Sequence, residues 1–290
     1  TPQHVPALDA ADLAATGRPF GQARTLPGAA YAAEAVFRLE QRELFARTWL
    51  CVGRAADIPE PGDWFAVDVA GEPVIVARAA TGQVHAFYNV CRHRGSRLLD
   101  EPRGRGLKRV LCPYHAWTFE LDGSLAQAPG MPANFDRGRH GLVPVGCGTR
   151  EGFVFVNLDP AAPPLERALA DLPDLSRFRI GELVCGRRIE YEVAANWKLL
   201  CENYSECYHS PGAPPQLSRI SDLISRSERR QEFGACYNGG PMLMREGVQT
   251  MSMSGKSTLP AIPGLTADDH RYVYYYVVYP NLLLSPHPDY

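Results

Sequence analysis

Apolar side chains recur at roughly helical spacing over residues 32–50, at Val36, Phe37, Leu39, Leu44, Phe45 and Trp49, with Arg and Glu between them. That period predicts one amphipathic helix. Beyond it the pattern shortens. Residues 64–69, 73–78, 84–90, 109–112, 117–121 and 153–158 alternate or run apolar between Gly-containing turns, the signature of short antiparallel strands. A Pro-rich linker at 160–164 closes this β-rich stretch. After it, 165–172 reads as a short helix, 185–193 as a strand, and 233–237, 249–253 and 271–284 as strands of a second sheet. Between them, 196–209 reads as a helix with Asn196 as its N-cap. Trp197, Leu200, Cys201, Tyr204 and Tyr208 form one stripe on it, and Glu202, Glu206 and His209 another. The class expected is α+β, with a boundary at the linker.

Length and composition agree with that layout. At 290 residues the chain suits about two units of roughly 150 residues each. Its 26 Gly and 25 Pro call for many turns, and 45% hydrophobic against 21% charged residues excludes disorder. Thirty Lys and Arg against 32 Asp and Glu leave a net charge of −2 without blocks of like charge, so neither a nucleic-acid surface nor a polybasic membrane anchor is expected. The longest apolar runs, at 272–279 and 282–284, fall short of the ~20 residues a membrane span needs. The first twenty residues lack the basic-then-apolar order of a secretory signal, which makes the cytoplasm the default location. Eight Cys spread over such a chain point to metal ligation or inert thiols rather than a disulfide framework.

Two Cys carry the chemistry. Cys91-Arg-His93 is followed, after eighteen intervening residues, by Cys112-Pro-Tyr-His115. Two thiolates and two imidazoles in paired loops are the ligand set of a Rieske [2Fe–2S] centre, with the Cys pair on one iron and the His pair on the other. A zinc ion takes the same four ligands. Zinc sites, however, favour CxxC and HxxxH pairs, whereas each pair here mixes one Cys with one His. Gly95 and Gly123 are expected to permit tight turns beside these loops.

The stretches NVCRHRGSRLL, LCPYHAWTFELDG and NWKLLCENYSECYH resemble the large (α) subunits of Rieske non-haem iron oxygenases over most of the chain. Within them they are most similar to the subgroup that attacks quaternary ammonium compounds, such as choline monooxygenase and glycine betaine or stachydrine demethylases. The spacing between the loops is read as a one-residue insertion around 103–106. The resemblance implies an N-terminal helical segment of the catalytic domain at 1–45 and a Rieske domain at 46–160. It also implies a helix-grip-like catalytic domain at 161–290, without its C-terminal part. It implies O2-dependent hydroxylation or oxidative N-demethylation of a small substrate, monooxygenase or dioxygenase chemistry, electrons from a reductase or ferredoxin, and a homotrimer. The cofactors implied are a [2Fe–2S] cluster on Cys91, His93, Cys112 and His115 and a mononuclear Fe(II) held in part by His209.

By the same resemblance Glu206 is the carboxylate that passes electrons from a neighbouring subunit's cluster, three residues before His209. The second iron-ligating His falls on position 214, which is Pro214, and the third ligand, an Asp, has no match before residue 290. His287 and Asp289 lie in the wrong segment for it, and His270 in a loop. An alternative is therefore a catalytically silent electron-transfer or assembly subunit with a degenerate iron site. Tyr272, Tyr274, Tyr275, Tyr276 and Tyr279 suit either sheet core or an aromatic wall facing a trimethylammonium group. Cys51, Cys147, Cys185, Cys201, Cys207 and Cys236 read as buried small hydrophobes, and the Arg pairs at 187–188 and 229–230 as solvated faces.

Overall fold

The computed structural model describes residues 8–19, 21–206, 219–221 and 231–290. A short helix α1 (Ala10–Thr16) opens the chain, capped by the Asp9 carboxylate on the Ala11 N–H at 2.8 Å. The helix expected over 32–50 is broken and shorter. It comprises α2 (Ala29–Ala32), α3 (Glu34–Glu40) and a π-helical turn Gln41–Phe45, and a strand already starts at Leu50. Ala33 has extended backbone and interrupts the run, so the spacing continues where the hydrogen bonding does not.

The β-rich stretch forms one large antiparallel sheet and one small one. The large sheet holds β1 (Leu50–Arg54), β2 (Trp64–Val69), β3 (Glu72–Arg78), β4 (Val84–Tyr88), β5 (Arg103–Gly104), β9 (Pro144–Arg150) and β10 (Phe153–Asn157), in the order β1-β10-β9-β4-β3-β2-β5. The small sheet is β6 (Val110–Leu111), β7 (Thr118–Phe119) and β8 (Leu125–Gln127). Alternation along β3 sends Val74 and Val76 into one core with Val154 and Val156, and Ile75 and Ala77 into another with Trp64, Phe87, Trp117 and Phe119. Cys91 and Cys112 belong to the second core.

Past the linker come α4 (Leu165–Ala168) and α5 (Trp197–Ser205), then a four-stranded antiparallel sheet of β11 (Glu232–Phe233), β12 (Tyr237–Leu243), β13 (Tyr272–Val278) and β14 (Leu282–Leu284). Residues 185–193 form no strand, and Val184, Ile189 and Tyr191 are solvent-exposed. Residues 249–253 are likewise turn rather than strand, and 271–284 folds as a hairpin rather than one strand. Even residues of β13, Tyr272, Tyr274, Tyr276 and Val278, pack with Phe178, Leu165 and Tyr237 in a core shared with α4. Odd residues face α5, whose Tyr204 ring meets Tyr275 edge-on at 5.6 Å between centroids. Among the described residues, no helix is long and apolar enough to cross a membrane.

Candidate metal centre

The two motif loops share one backbone design. Cys91 N–H donates to Ser96 O at 2.8 Å and Gly95 N–H to Cys91 O at 3.0 Å; Cys112 N–H donates to Trp117 O at 2.8 Å and Ala116 N–H to Cys112 O at 3.1 Å. In each loop the fifth residue is left-handed, Gly95 at φ 71° and Ala116 at φ 56°. That turn curls the backbone N–H groups inward. Asn89, fully buried, ties the far end of the first loop by accepting from Leu98 and Leu99 N–H and donating to Leu99 O at 2.7 Å. Gly123 has φ 87°, and a Cβ there would collide with the Phe87 ring, so this turn needs glycine on both counts.

The loops sort their side chains by type. Cys91 and Cys112, 3% and 2% exposed, face each other closely enough for a thiol–thiol hydrogen bond. The His93 and His115 rings lie together outside them, 4.6 Å between centroids. Burial raises the Cys91 thiol pKa against the pull of the His93 and Arg94 N–H groups. At Cys112 burial also pushes upward, but the Tyr114 and His115 N–H groups, the Cys91 thiol and the Ser96 hydroxyl outweigh it, so this thiol is lowered. Hydrogen bonds aimed at sulfur favour the charged form, so the loops draw Cys112 toward the thiolate while burial holds Cys91 toward the thiol. Desolvation, His115 and Arg94 push the His93 pKa down, which keeps the imidazole neutral and able to ligate.

One buried atom tests the fit to a metal group directly. His93 Nδ1 is buried without a hydrogen-bond partner among the described residues, although a buried polar atom normally has one. The ring is fixed by Trp117, stacked on it at 4.9 Å and 8°. Among the described residues no three His, Cys, Asp or Glu gather as a single ion requires. A two-iron cluster needs instead a thiol pair and an imidazole pair, and the four residues fit that group.

The second motif departs from its expected form. Asn196 caps α5, its Oδ1 accepting from the Lys198 N–H at 3.1 Å. The N-terminal segment holds this helix. Lys198 Nζ meets Glu40 Oε1 at 2.5 Å, Trp197 Nε1 donates to Glu40 Oε2 at 3.0 Å, and Tyr31 OH donates to Glu202 Oε1 at 2.7 Å. Helix α5 ends at Ser205, however, and Glu206 is extended at φ −128° and ψ 158°. Glu206 therefore stands outside the helix that the spacing predicts for it. Ser205 Oγ bonds back to Cys201 O at 2.6 Å, a side chain competing with the helical ladder in the last turn. His209, Pro214 and Cys207 lie outside the described residues.

Other expectations divide. Tyr274 and Tyr276 are sheet core, while Tyr275 faces α5. Leu200 is 44% exposed and leaves the apolar stripe; Cys185 is exposed, and Cys51, Cys147 and Cys236 are half-buried. Both Asp289 carboxylate oxygens are engaged by hydroxyl groups, Thr250 Oγ1 and Ser257 Oγ donating to them at 2.7 and 2.5 Å. A groove of about 680 Å³ between α2, α3, β1 and the start of α5, lined by Tyr31, Phe45 and Trp197, touches none of the motif ligands.

Comparison with known proteins agrees with this geometry. A family model of the Rieske [2Fe–2S] domain matches residues 48–145, and one of the ring hydroxylating alpha subunit (catalytic domain) matches residues 180–290. The glycine betaine monooxygenase oxygenase subunit of Chromohalobacter salexigens is 37% identical over 268 residues, covering 83% of this chain and 60% of that protein. The carnitine monooxygenase oxygenase subunit of Acinetobacter pittii is 37% identical over 196 residues, 66% of this chain and 53% of that one. The chain thus spans about half to three fifths of the curated relatives it matches. Among solved structures, a quaternary ammonium Rieske monooxygenase studied for carnitine oxidation and inter-subunit electron transfer superposes with a TM-score of 0.73 at 28% identity, covering 90% of this chain and 68% of that one.

Proposed function

Because the chain belongs to the Rieske non-haem iron oxygenase α subunits, we propose that it is an oxygenase component acting on a small quaternary ammonium compound. It would use O2 and reductase-derived electrons. The observation that carries the reading is the sorting of the two loops into a buried thiol pair and an outer imidazole pair. Cys91 and Cys112 are assigned to the inner iron of a [2Fe–2S] cluster, His93 and His115 to the outer one. Bound there, the cluster supplies one-electron transfer, with a potential raised by its two imidazole ligands.

The chain's own residues do the rest. Backbone N–H groups of the loops stabilise the thiolates, Trp117 fixes the His93 ring, and the exposed Tyr114 and His115 leave the outer edge open to an electron donor. Glu206 is assigned as the carboxylate between that edge, in a neighbouring subunit, and the oxygen site, which makes a homotrimer the expected assembly. His209 is assigned to the mononuclear iron. Pro214 has no donor atom, so the other ligands lie elsewhere. Relatives named as oxygenase subunits weigh against the silent alternative.

Oxidative N-demethylation balances simply. One oxygen atom of O2 enters a C–H bond of an N–CH3 group to give N–CH2OH, two electrons and two protons reduce the other to water, and the C–N bond then breaks with its electron pair returning to nitrogen, releasing formaldehyde and the hydroxyl proton. The full-length oxygenase, supplied with a reductase and NADH, should consume O2 and release formaldehyde when glycine betaine or carnitine is added. Absence of substrate-dependent O2 uptake across a quaternary ammonium series, in protein containing cluster and iron, would refute this assignment.

A further inference from the structure

Among the described residues His287 is one of the most buried polar ones, at 4% exposed, and its Nδ1 has no hydrogen-bond partner there. The neighbouring carboxylate of Asp289 is already taken by Thr250 and Ser257. Desolvation takes the imidazole pKa down to about 4, so the ring is neutral at physiological pH. A neutral imidazole carries one N–H donor and one acceptor nitrogen. A buried ring nitrogen left unmatched is uncommon and calls for an explanation.

Register locates this ring. In the β13–β14 hairpin Tyr276 pairs with Leu284 and Val278 with Leu282, and Tyr274 N–H donates to Pro286 O at 3.2 Å beyond the last pair. Continuing that register sets Ser285 opposite Tyr275 and His287 opposite Val273, and β12 adds Met242 beside Val273. Alternation puts Tyr275, Ser285, Val273 and His287 on the face that carries α5. Tyr204 confirms it, because its ring meets Tyr275 and its hydroxyl meets Ser285. Helix α5 runs in one direction over this face. Cys201 Sγ lies 3.6 Å from Pro280 O, and Tyr204 three residues later sits over the Tyr275–Ser285 row. The next row in that direction is Val273–His287.

We propose that His287 is a specificity-determining residue whose Nδ1–H binds the carboxylate of a zwitterionic quaternary ammonium substrate. The inference rests on the function proposed above and narrows its substrate class. A trimethylammonium group has no N–H to give, so the hydrogen-bonding atoms of a betaine are its carboxylate oxygens. These accept, and the unmatched ring nitrogen of a neutral imidazole in its Nδ1–H tautomer donates. Tyr275 and Tyr204, on the adjacent row, are aromatic surface suited to the cationic end.

The test compares glycine betaine with tetramethylammonium, the same cation without a carboxylate, in the full-length iron-loaded oxygenase. Binding by calorimetry and turnover with the electron donor are both read. The parent should bind betaine more tightly. His287→Leu should raise the betaine Kd about tenfold or more, as loss of a hydrogen bond to a charged group does, and leave that of tetramethylammonium unchanged. His287→Asn, whose amide N–H falls near the Nδ1 position, should recover part of the loss. If His287→Leu does not fold, the His287→Asn variant and the parent's preference for betaine over its methyl ester decide. A parent that oxidises betaine but binds it no better than tetramethylammonium, or a His287→Leu variant with unchanged betaine affinity, overturns this inference alone. A parent that binds and oxidises no quaternary ammonium overturns both.

Discussion

Asp269 allows a charge to be weighed within the sheet that carries β13. Its side chain is 2% exposed. It accepts from Thr266 N–H at 2.9 Å, Thr266 Oγ1 at 2.7 Å, Tyr274 OH at 2.8 Å and Arg177 Nε at 2.9 Å. Burial works against its charge, but these donors outweigh it and hold the carboxyl at about 2 against an ordinary 3.8. A carboxylate so depressed contributes roughly 2.5 kcal/mol at neutral pH. Because the folded value is lowered, that contribution is present above pH 3.8 and is lost as pH falls toward 2, with roughly half remaining near pH 3. Asp269→Asn removes the charge with little change of shape. Urea unfolding, followed by near-UV circular dichroism of the tyrosines, should show the variant less stable by about 2 to 3 kcal/mol at pH 7. That gap should narrow by about half near pH 3. Tyr274→Phe, which deletes one of these donors, should cost about 1 kcal/mol at pH 7 and less near pH 3, because the lost hydroxyl is one that holds the carboxyl down. A deficit for Asp269→Asn that is below about 0.5 kcal/mol at pH 7, or the same at pH 3 as at pH 7, would refute the electrostatic account.

Three further outcomes are expected. His115→Cys should keep about two irons and two sulfides per chain and shift the visible spectrum toward an all-thiolate cluster; stoichiometric zinc without sulfide in the parent would contradict the cluster. Glu206→Gln should leave cluster content and assembly intact while turnover falls to background, and parental rates would remove Glu206 from the electron path. Pro214→His should slow the loss of mononuclear iron to a chelator, since each added ligand tightens such a site, and identical loss curves would show that position 214 does not face the iron.

What the sequence revealed, and what it hid, follows from how far each signal reaches along the chain. The cluster loops were legible because four ligands and Gly95 sit within a few residues of one another, and residue type alone encodes their chemistry. Ala116 was not legible: it takes the same left-handed turn as Gly95, yet alanine carries no turn signal. Periodicity found β2 and β3 but overran α3, because spacing counts side chains and not hydrogen bonds, and Ala33 breaks the latter. It likewise carried α5 past Ser205, where a hydroxyl bonded to Cys201 O competes with the ladder. The apolar residues of 185–193 suggest a strand, but among the described residues no strand pairs with them. His287 was set aside as lying in the wrong segment, since a buried unmatched nitrogen is a property of packing and leaves no trace in composition.

The grip of Tyr31 and Glu40 on α5 bears on the order in which the chain can be completed. Tyr31 and Glu40 leave the ribosome before the cluster-bearing loops exist and are held by side chains that emerge more than 150 positions later. The β-rich unit is therefore a long excursion between two halves of one clasp, and the clasp shuts only after that excursion is finished. Closure over so many residues carries an entropic cost that grows slowly with length, and folding the excursion first removes most of it by bringing its ends together. A lesion in the cluster loops would then be felt at α5 as a clasp that closes late.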